Sequence, residues 1–485
     1  MPIVHMAVLS LLSRAAGWVL PAALAIAAAG CAVTGLRADV RAELRGTWIT
    51  TTANTAVATP RDTAGTMQQL KSLGLNTVYL EVWKNGATHH PSDVLQRVLG
   101  AGAPVSGRDL TEEMLIEAQR NALVAVAWFE YGFMAAHASS MNALRRAKPE
   151  WLLRDIDGRE TAPDGFVWMN PAHPEVRRFL IDLVLEAVDR YDLDGIQWDD
   201  RLAWPSVTMG YDEFTRRAFA REHAGQDPPR DPREPAWVRW RAGQVESFAR
   251  QLVAEVRARR PGLVISLSPA VHPWSREHHL IDWPRWAAWR GAQWDEFVPQ
   301  AYRSTFPEFD ATWRVQRGQV GDQTGDLAPP LLVAGIRATG DGRDTWDSVR
   351  DSIQLTRTLG GGGHALWFSR GVLGAYAGDL GTLYTMPARN PHFPSAWRPG
   401  SRPLHRAAGL APAGQARWVL HDVPPGTHRL IGHDGERWSF IDRAPISSRG
   451  VGMAQVIVDL PPHFRDVEIL VDRREDLRRP RRTQP

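Results

Sequence analysis

The stretch Asp194-Gly195-Ile196-Gln197-Trp198-Asp199-Asp200 decides how this chain is read. Gly195–Asp199 has the composition of a short buried strand, and it stops at two adjacent carboxylates. Like charges at a strand end oppose stability through repulsion and desolvation. The pair therefore points either to chemistry or to an acidic turn, where Asp is common. Strand side chains alternate between faces, so one of Asp199 and Asp200 should face inward and the other a neighbouring loop. The sequence leaves open which.

Moving outward, seven further runs rich in β-branched or aromatic residues read as strands: Arg45–Thr52, Thr77–Trp83, Leu123–Tyr131, Leu263–Ala270, Phe297–Tyr302, Leu331–Arg337 and Ala365–Ser369. Helical patterns lie between them at Thr63–Leu73, Leu110–Asn121, Pro174–Tyr191, Ala236–Arg259, Trp283–Arg290, Phe306–Val320 and Thr345–Leu359. Pro174 suits a first helical turn, and the glycines Gly360–Gly363 end the last helix. Strand–helix repetition implies parallel pairing with right-handed crossovers. Eight such units over residues 42–390 predict a (β/α)8 TIM barrel. An open doubly wound sheet is the alternative, but no G-x-G-x-x-G or G-x-x-x-x-G-K-[ST] follows a strand, which disfavours its nucleotide-binding forms. Residues 132–173 and 201–235 are long inserts after strands three and four and would project at the face where barrels carry their sites.

Prolines mark a linker over residues 391–408. Short alternating runs over 409–473, spaced by Pro424-Pro425-Gly426 and Asp434-Gly435, predict a small C-terminal antiparallel β-sandwich. Residues 474–485 form an Arg-rich tail expected to be disordered. At the other end, residues 1–30 carry Arg14 and an apolar run from Ala15 to Gly30, too short to span a membrane comfortably and suited to a secretory signal. The only cysteine follows it in Ala28-Ala29-Gly30-Cys31, similar to a bacterial lipobox, which implies lipidation of Cys31. Ala32 stands where lipoproteins retained in the inner membrane often carry Asp, and by that resemblance the chain leans towards an outer-membrane or extracellular position in the cell envelope.

The net charge of +3 is slight, and outside the tail no basic stripe breaks the chain, so nucleic acid is not expected as a partner. The expected partners are a polysaccharide or oligosaccharide and, through the lipid, a membrane. Tryptophan is plentiful, 21 against 7 tyrosines, and flat aromatic faces stack on sugar rings. Cleaving a glycosidic bond needs two carboxyl groups, one to protonate the leaving oxygen and one to attack or activate water. The strand ends offer Glu81, Glu130, Asp199 and Asp200 as candidates. Trp83, Gln197, His272, Gln300, Tyr302, Arg337 and Trp367 are candidates to line the same mouth and bind substrate. His89-His90 and His278-His279 are adjacent pairs without the i, i+4 spacing of helical metal ligands, and no metal or cofactor is expected.

These pieces, in order, resemble the glycosyl-hydrolase-like family 10 lipoproteins of bacteria. The matching motifs are Arg45-Gly46-Thr47-Trp48, Leu73-Gly74-Leu75-Asn76-Thr77-Val78, Asp194–Asp200, Ser268-Pro269, and Asp282-Trp283 leading to Phe297-Val298-Pro299-Gln300-Ala301-Tyr302. The resemblance implies a TIM-barrel glycosidase in which Asp199 or Asp200 acts as acid or nucleophile, as in a related exopolysaccharide-export hydrolase domain. The chain departs from the usual pattern at Gln197-Trp198 and at Trp83-Lys84-Asn85-Gly86. The reading is an exported, lipid-anchored glycoside hydrolase; a non-catalytic glycan-binding lipoprotein on the same scaffold is the alternative.

Overall fold

The computed structural model describes residues 41–100, 107–291, 293–325 and 329–393. In the C-terminal part it describes 405–406, 417–423, 426–441, 446–448, 454–459 and 463–471. The signal segment with Cys31, most of the linker and the Arg-rich tail lie outside the described residues. The barrel elements run in chain order β1 (Leu44–Ile49), α1 (Pro60–Ser72), β2 (Thr77–Glu81), α2 (Leu110–Arg120), β3 (Val124–Phe129), α3 (Pro174–Arg190), β4 (Gly195–Trp198), α4 (Pro235–Arg259), β5 (Val264–Leu267), β6 (Glu296–Phe297), α5 (Phe306–Thr324), β7 (Leu331–Leu332), β8 (Ala334–Arg337), α6 (Trp346–Thr358) and β9 (Gly363–Trp367). All neighbouring pairs are parallel. β7 and β8 are two parts of one extended run: β7 pairs with β6, and β8 with β9. Since β9 also pairs with β1, the sheet closes on itself as a barrel. The stretch predicted as helix 283–290 forms only the single turn Trp283–Trp286.

Helix starts follow local chemistry. Thr59 accepts from the Asp62 amide while the Asp62 carboxylate accepts from the Thr59 amide, and Pro60 fills the first helical position of α1.

Parallel barrel strands are buried on both faces, so each contributes to two cores. Leu44, Trp48, Tyr79, Val126, Trp128, Val264, Val298 and Ala365 fill the lumen. The alternate residues, among them Ile49, Leu80, Phe129, Ile196, Trp198 and Leu366, pack outward beneath the helices. The lumen also holds one polar chain. Trp48 Nε1 donates to Gln197 Oε1 (2.7 Å), Gln197 Nε2 to Ser266 Oγ (2.9 Å), and Ser266 Oγ and Tyr79 Oη to Glu296 Oε1 (2.8 Å each). His392 sits 3.0 Å from the other oxygen of Glu296.

Both inserts carry structure that the sequence reading left blank. The first contains the hairpin Met134–His137 with Phe166–Trp168 and the helix Ala143–Ala147; the second contains the helix Glu213–Glu222. The described C-terminal strands form two antiparallel sheets. One contains β10 (His405–Arg406), β12 (Gly426–His433), β13 (Trp438–Phe440), β14 (Ile446–Ser448) and β16 (Asp466–Val471). The other pairs β11 (Arg417–Val423) with β15 (Ala454–Asp459). The larger sheet docks on α2: Ile116 packs with Ile431, Trp438 and Leu470. Arg120 binds Glu468 through two nitrogens at 2.9 and 3.1 Å and lies over the Trp438 ring.

Candidate active site

Counting inward positions up the strands places Thr50, Glu81, Glu130, Asp199, Gln300 and Trp367 at the C-terminal rim of the lumen, above the aromatic layer. Of the adjacent acids, Asp199 is the inward one, two residues beyond the lumen-facing Gln197; Asp200 begins the turn. A glycine lets the first insert hold that turn. Gly132 has φ +47°, and a Cβ there would lie 2.6 Å from the Arg201 carbonyl oxygen, which accepts the Phe133 amide at 3.1 Å.

Four carboxyl groups converge here, and solvent access ranks them. The side chain of Asp200 is 23% exposed, Glu130 10%, Asp199 3% and Glu81 0%. Two cations sit among them. Lys84 Nζ is 2.8 Å from Glu81 and 3.3 Å from Glu130. The Arg201 guanidinium pairs with Asp199, lies 3.5 Å from Asp200 and donates to the Glu130 carbonyl at 3.3 Å.

Glu81 is saturated: the hydroxyls of Thr50 and Thr51, Lys84 and His89 (2.7 Å) all serve its two oxygens. Burial pushes Glu81 up, but hydrogen bonds from His89 and Glu130 and the charge of Lys84 outweigh it and hold the carboxyl well below the usual range. For Glu130 the balance is opposite. Burial, followed by the neighbouring Glu81 charge, pushes its pKa up to about 8, against Arg201 and Lys84. Asp199 accepts from Gln300 Nε2 at 2.6 Å and from the Asp200 amide at 2.9 Å. Burial and the charge of Asp200 raise it well above an ordinary aspartate, opposed by Arg201. The Tyr302 phenol is likewise raised, first by burial and then by Asp199 and Asp200. Tyr302 stacks on Trp367 at 5.8 Å, and Trp48 and Trp128 meet Trp367 edge-on beneath the acids. Among the described residues no group of three or more His, Cys, Asp or Glu is arranged to hold a metal ion.

The sequence pattern of the glycosyl hydrolase-like 10 family matches residues 43–337. The chain belongs to that family. Among curated relatives, glycosyl hydrolase DigH of Escherichia coli K12 is 24% identical over 253 residues, covering 47% of this chain and 55% of that protein. Glycosyl hydrolase YngK of Bacillus subtilis is 22% identical over 211 residues, 42% of this chain and 38% of that one. The chain thus spans about half the length of the DigH relative it matches. Two solved structures share the fold. The PgaB (BpsB) glycoside hydrolase domain from Bordetella bronchiseptica has a TM-score of 0.52 at 12% identity, covering 72% of this chain and 99% of that domain. The catalytic domain of β-amylase from Paenibacillus polymyxa has a TM-score of 0.53 at 11% identity, covering 72% and 98%.

Within this family member, several residues expected at the mouth lie elsewhere. Trp83 is fully buried outside the lumen; its Nε1 donates to the Gly132 carbonyl at 3.1 Å and its ring packs on Phe179, so it ties two loops together. Gln197 is fully buried below the acids, its amide group engaged by Trp48 and Ser266. Neither is open to a substrate. His272 sits 3.5 Å from Asp282, its backbone amide donating to Gln316. Arg337 lies 3.9 Å from Asp341 and from Asp344. Gln300, Tyr302 and Trp367 do gather with the acids. Sequence reasoning did not name Arg201 or Lys84 as members of the site. Both carried a signal: Arg201 directly follows the paired aspartates, and Lys84 is one of three lysines in a chain that otherwise uses arginine.

Proposed function

We propose that this protein is a glycoside hydrolase in which Glu130 and Asp200 act on the substrate, supported from behind by Glu81 and Asp199. The observation that carries this reading is the pairing of each more accessible acid with a buried one. Burial, together with the charge of the ionised Glu81, keeps the Glu130 proton on at neutral pH, which suits Glu130 to protonate a leaving glycosidic oxygen. Asp199 anchors Arg201 and Gln300, and so fixes the turn from which Asp200 reaches outward. Asp200 then attacks the anomeric carbon or takes a proton from a water that does. Either route ends with water split across the bond, hydroxyl on the anomeric carbon and proton on the leaving sugar. Tyr302 and Trp367 supply an aromatic surface for a sugar ring. The substrate is a polysaccharide or envelope glycan, and lipidation of Cys31 after export would hold the enzyme at the cell envelope.

The test is a glycan panel with reducing-end detection on wild type, Glu130→Gln and Asp200→Asn. Each variant is expected to lose activity by about 10²–10⁴-fold. Undiminished cleavage in both overturns the assignment of these acids; glycan binding without any cleavage by wild type supports the binding-protein alternative. Incorporation of labelled fatty acid into wild type but not Cys31→Ser tests the anchor.

A further inference from the structure

Lys84 is the cation beside the carboxyl group of Glu130, and the chain builds a turn to put it there. Glu81 ends β2, and the backbone runs on into a two-stranded hairpin that pairs Trp83 with Thr88 and Lys84 with Ala87. Asn85 and Gly86 turn it with φ of 50° and 75°, and two left-handed residues in succession match the twist of a two-residue hairpin. The turn is held on two sides. Asn142 of the first insert donates to the Asn85 carbonyl at 2.7 Å, and Trp83 Nε1 donates to the Gly132 carbonyl at 3.1 Å.

An ammonium has three N–H donors. Those of Lys84 face Glu81 Oε2 at 2.8 Å, Thr50 Oγ1 at 3.1 Å and Thr51 Oγ1 at 3.4 Å. Glu130 Oε2 lies 3.3 Å from the same nitrogen. That oxygen is buried and accepts no hydrogen bond among the described residues. The ammonium is thus committed to Glu81 and only close to Glu130. Arg201, the other cation of the site, is paired with Asp199 and Asp200 and donates to Glu130 only at its carbonyl.

Proton release changes this balance. While Glu130 is protonated, the charges of Glu81 and Lys84 cancel. In the cleavage step the Glu130 O–H bond breaks and its proton goes to the glycosidic oxygen. The electron pair of the breaking C–O bond leaves with that oxygen, and a second carboxylate charge appears beside Glu81. Lys84 neither gains nor loses a proton. Contacts that strengthen only as charge develops are the ones that speed a reaction. The 3.4 Å bond to Thr51 is the longest the ammonium makes, and so the one it gives up most readily.

We infer that Lys84 is a positioning residue of the reaction, turning an N–H from Thr51 to Glu130 Oε2 as the general acid loses its proton, so that two carboxylates can stand side by side. The inference rests on the glycosidase reading, with Glu130 as the acid.

The test compares wild type, Lys84→Gln and Lys84→Arg as full chains, with Lys84→Met as a second neutral variant should the glutamine fail to fold. Carbon-13 NMR of labelled glutamate carboxyls follows the Glu81–Glu130 pair without any substrate. The other charged or titratable groups around the pair are His89, Arg201, Asp199 and Tyr131, and none of the variants alters them. Loss of the cation is expected to raise the higher of the pair's two titrations by about one pH unit or more, and Lys84→Arg to restore it. An unmoved titration overturns the inference. With the sugar identified by the glycan panel, Lys84→Gln is expected to lower kcat about 10²-fold on the glycan and to move the basic limb to higher pH. It should have little effect on the 2,4-dinitrophenyl glycoside of that sugar, whose leaving group needs no proton. Equal losses on both substrates show a merely structural lysine and overturn the inference. A raised titration in a protein that cleaves no glycan leaves the hold of Lys84 on the pair standing and removes the glycosidase reading; cleavage with an unmoved titration does the reverse.

Discussion

At the residue scale, the site works through unequal environments imposed on chemically equal groups. Glu81 ends β2 and Glu130 directly follows the neighbouring strand β3, yet one is held ionised and the other protonated up to pH about 8. A general acid must carry its proton, so the kcat/KM profile is expected to fall as pH rises through about 8. Glu81→Gln leaves the burial of Glu130 but removes the charge that adds to it, and is expected to move this basic limb towards lower pH; an unmoved limb would show that Glu81 does not tune Glu130. Stability has its own sign. The folded protein keeps a proton on Glu130 that an unfolded chain releases near its ordinary value of 4.5, so the associated stability is complete below 4.5 and lost as pH rises through about 8. Glu130→Gln is therefore expected to cut cleavage as stated above while raising the thermal midpoint at pH 8 and above, which a melt at two pH values checks.

At the element scale, barrel closure depends on close backbone approach. β9 begins at Gly363 with φ +116°, and a Cβ there would lie 2.1 Å from the Leu44 carbonyl oxygen on β1. Gly363→Ala adds left-handed strain to a backbone clash and is expected to cost about 3 kcal/mol in urea unfolding. The outer sheet is held differently. Trp438 is buried against Ile116 and covered by Arg120, so Trp438→Ala is expected to cost about 3 kcal/mol and to expose the C-terminal sheets to limited proteolysis before the barrel. Strand-to-helix alternation was legible in the sequence, because most barrel strands are short, largely apolar runs buried on both faces. The helices inside the inserts were not: Glu213–Glu222 buries only Thr215, Ala218 and Phe219, too little to stand out in sequence.

Across the whole molecule, buried neutral histidines set the acid limit. Burial holds His364 and His90 down to about 3, against an ordinary value of 6.5. An unfolded chain would take up those protons near 6.5, so the stability is complete above 6.5 and lost as pH falls through about 3. Melts from pH 7 to 4 are expected to show a steady fall in midpoint, less steep in His364→Asn. The sequence by itself determined the barrel, the family and the strand ends that carry acids, since hydrophobic period and turn chemistry are local properties written residue by residue. Only the tertiary structure decided which acids are accessible, that Gln197 and Trp83 are buried, and that Lys84 and Arg201 stand between the carboxylates. Access, desolvation and charge pairing depend on groups far apart in the chain, and only closure of the barrel brings them within a few ångströms.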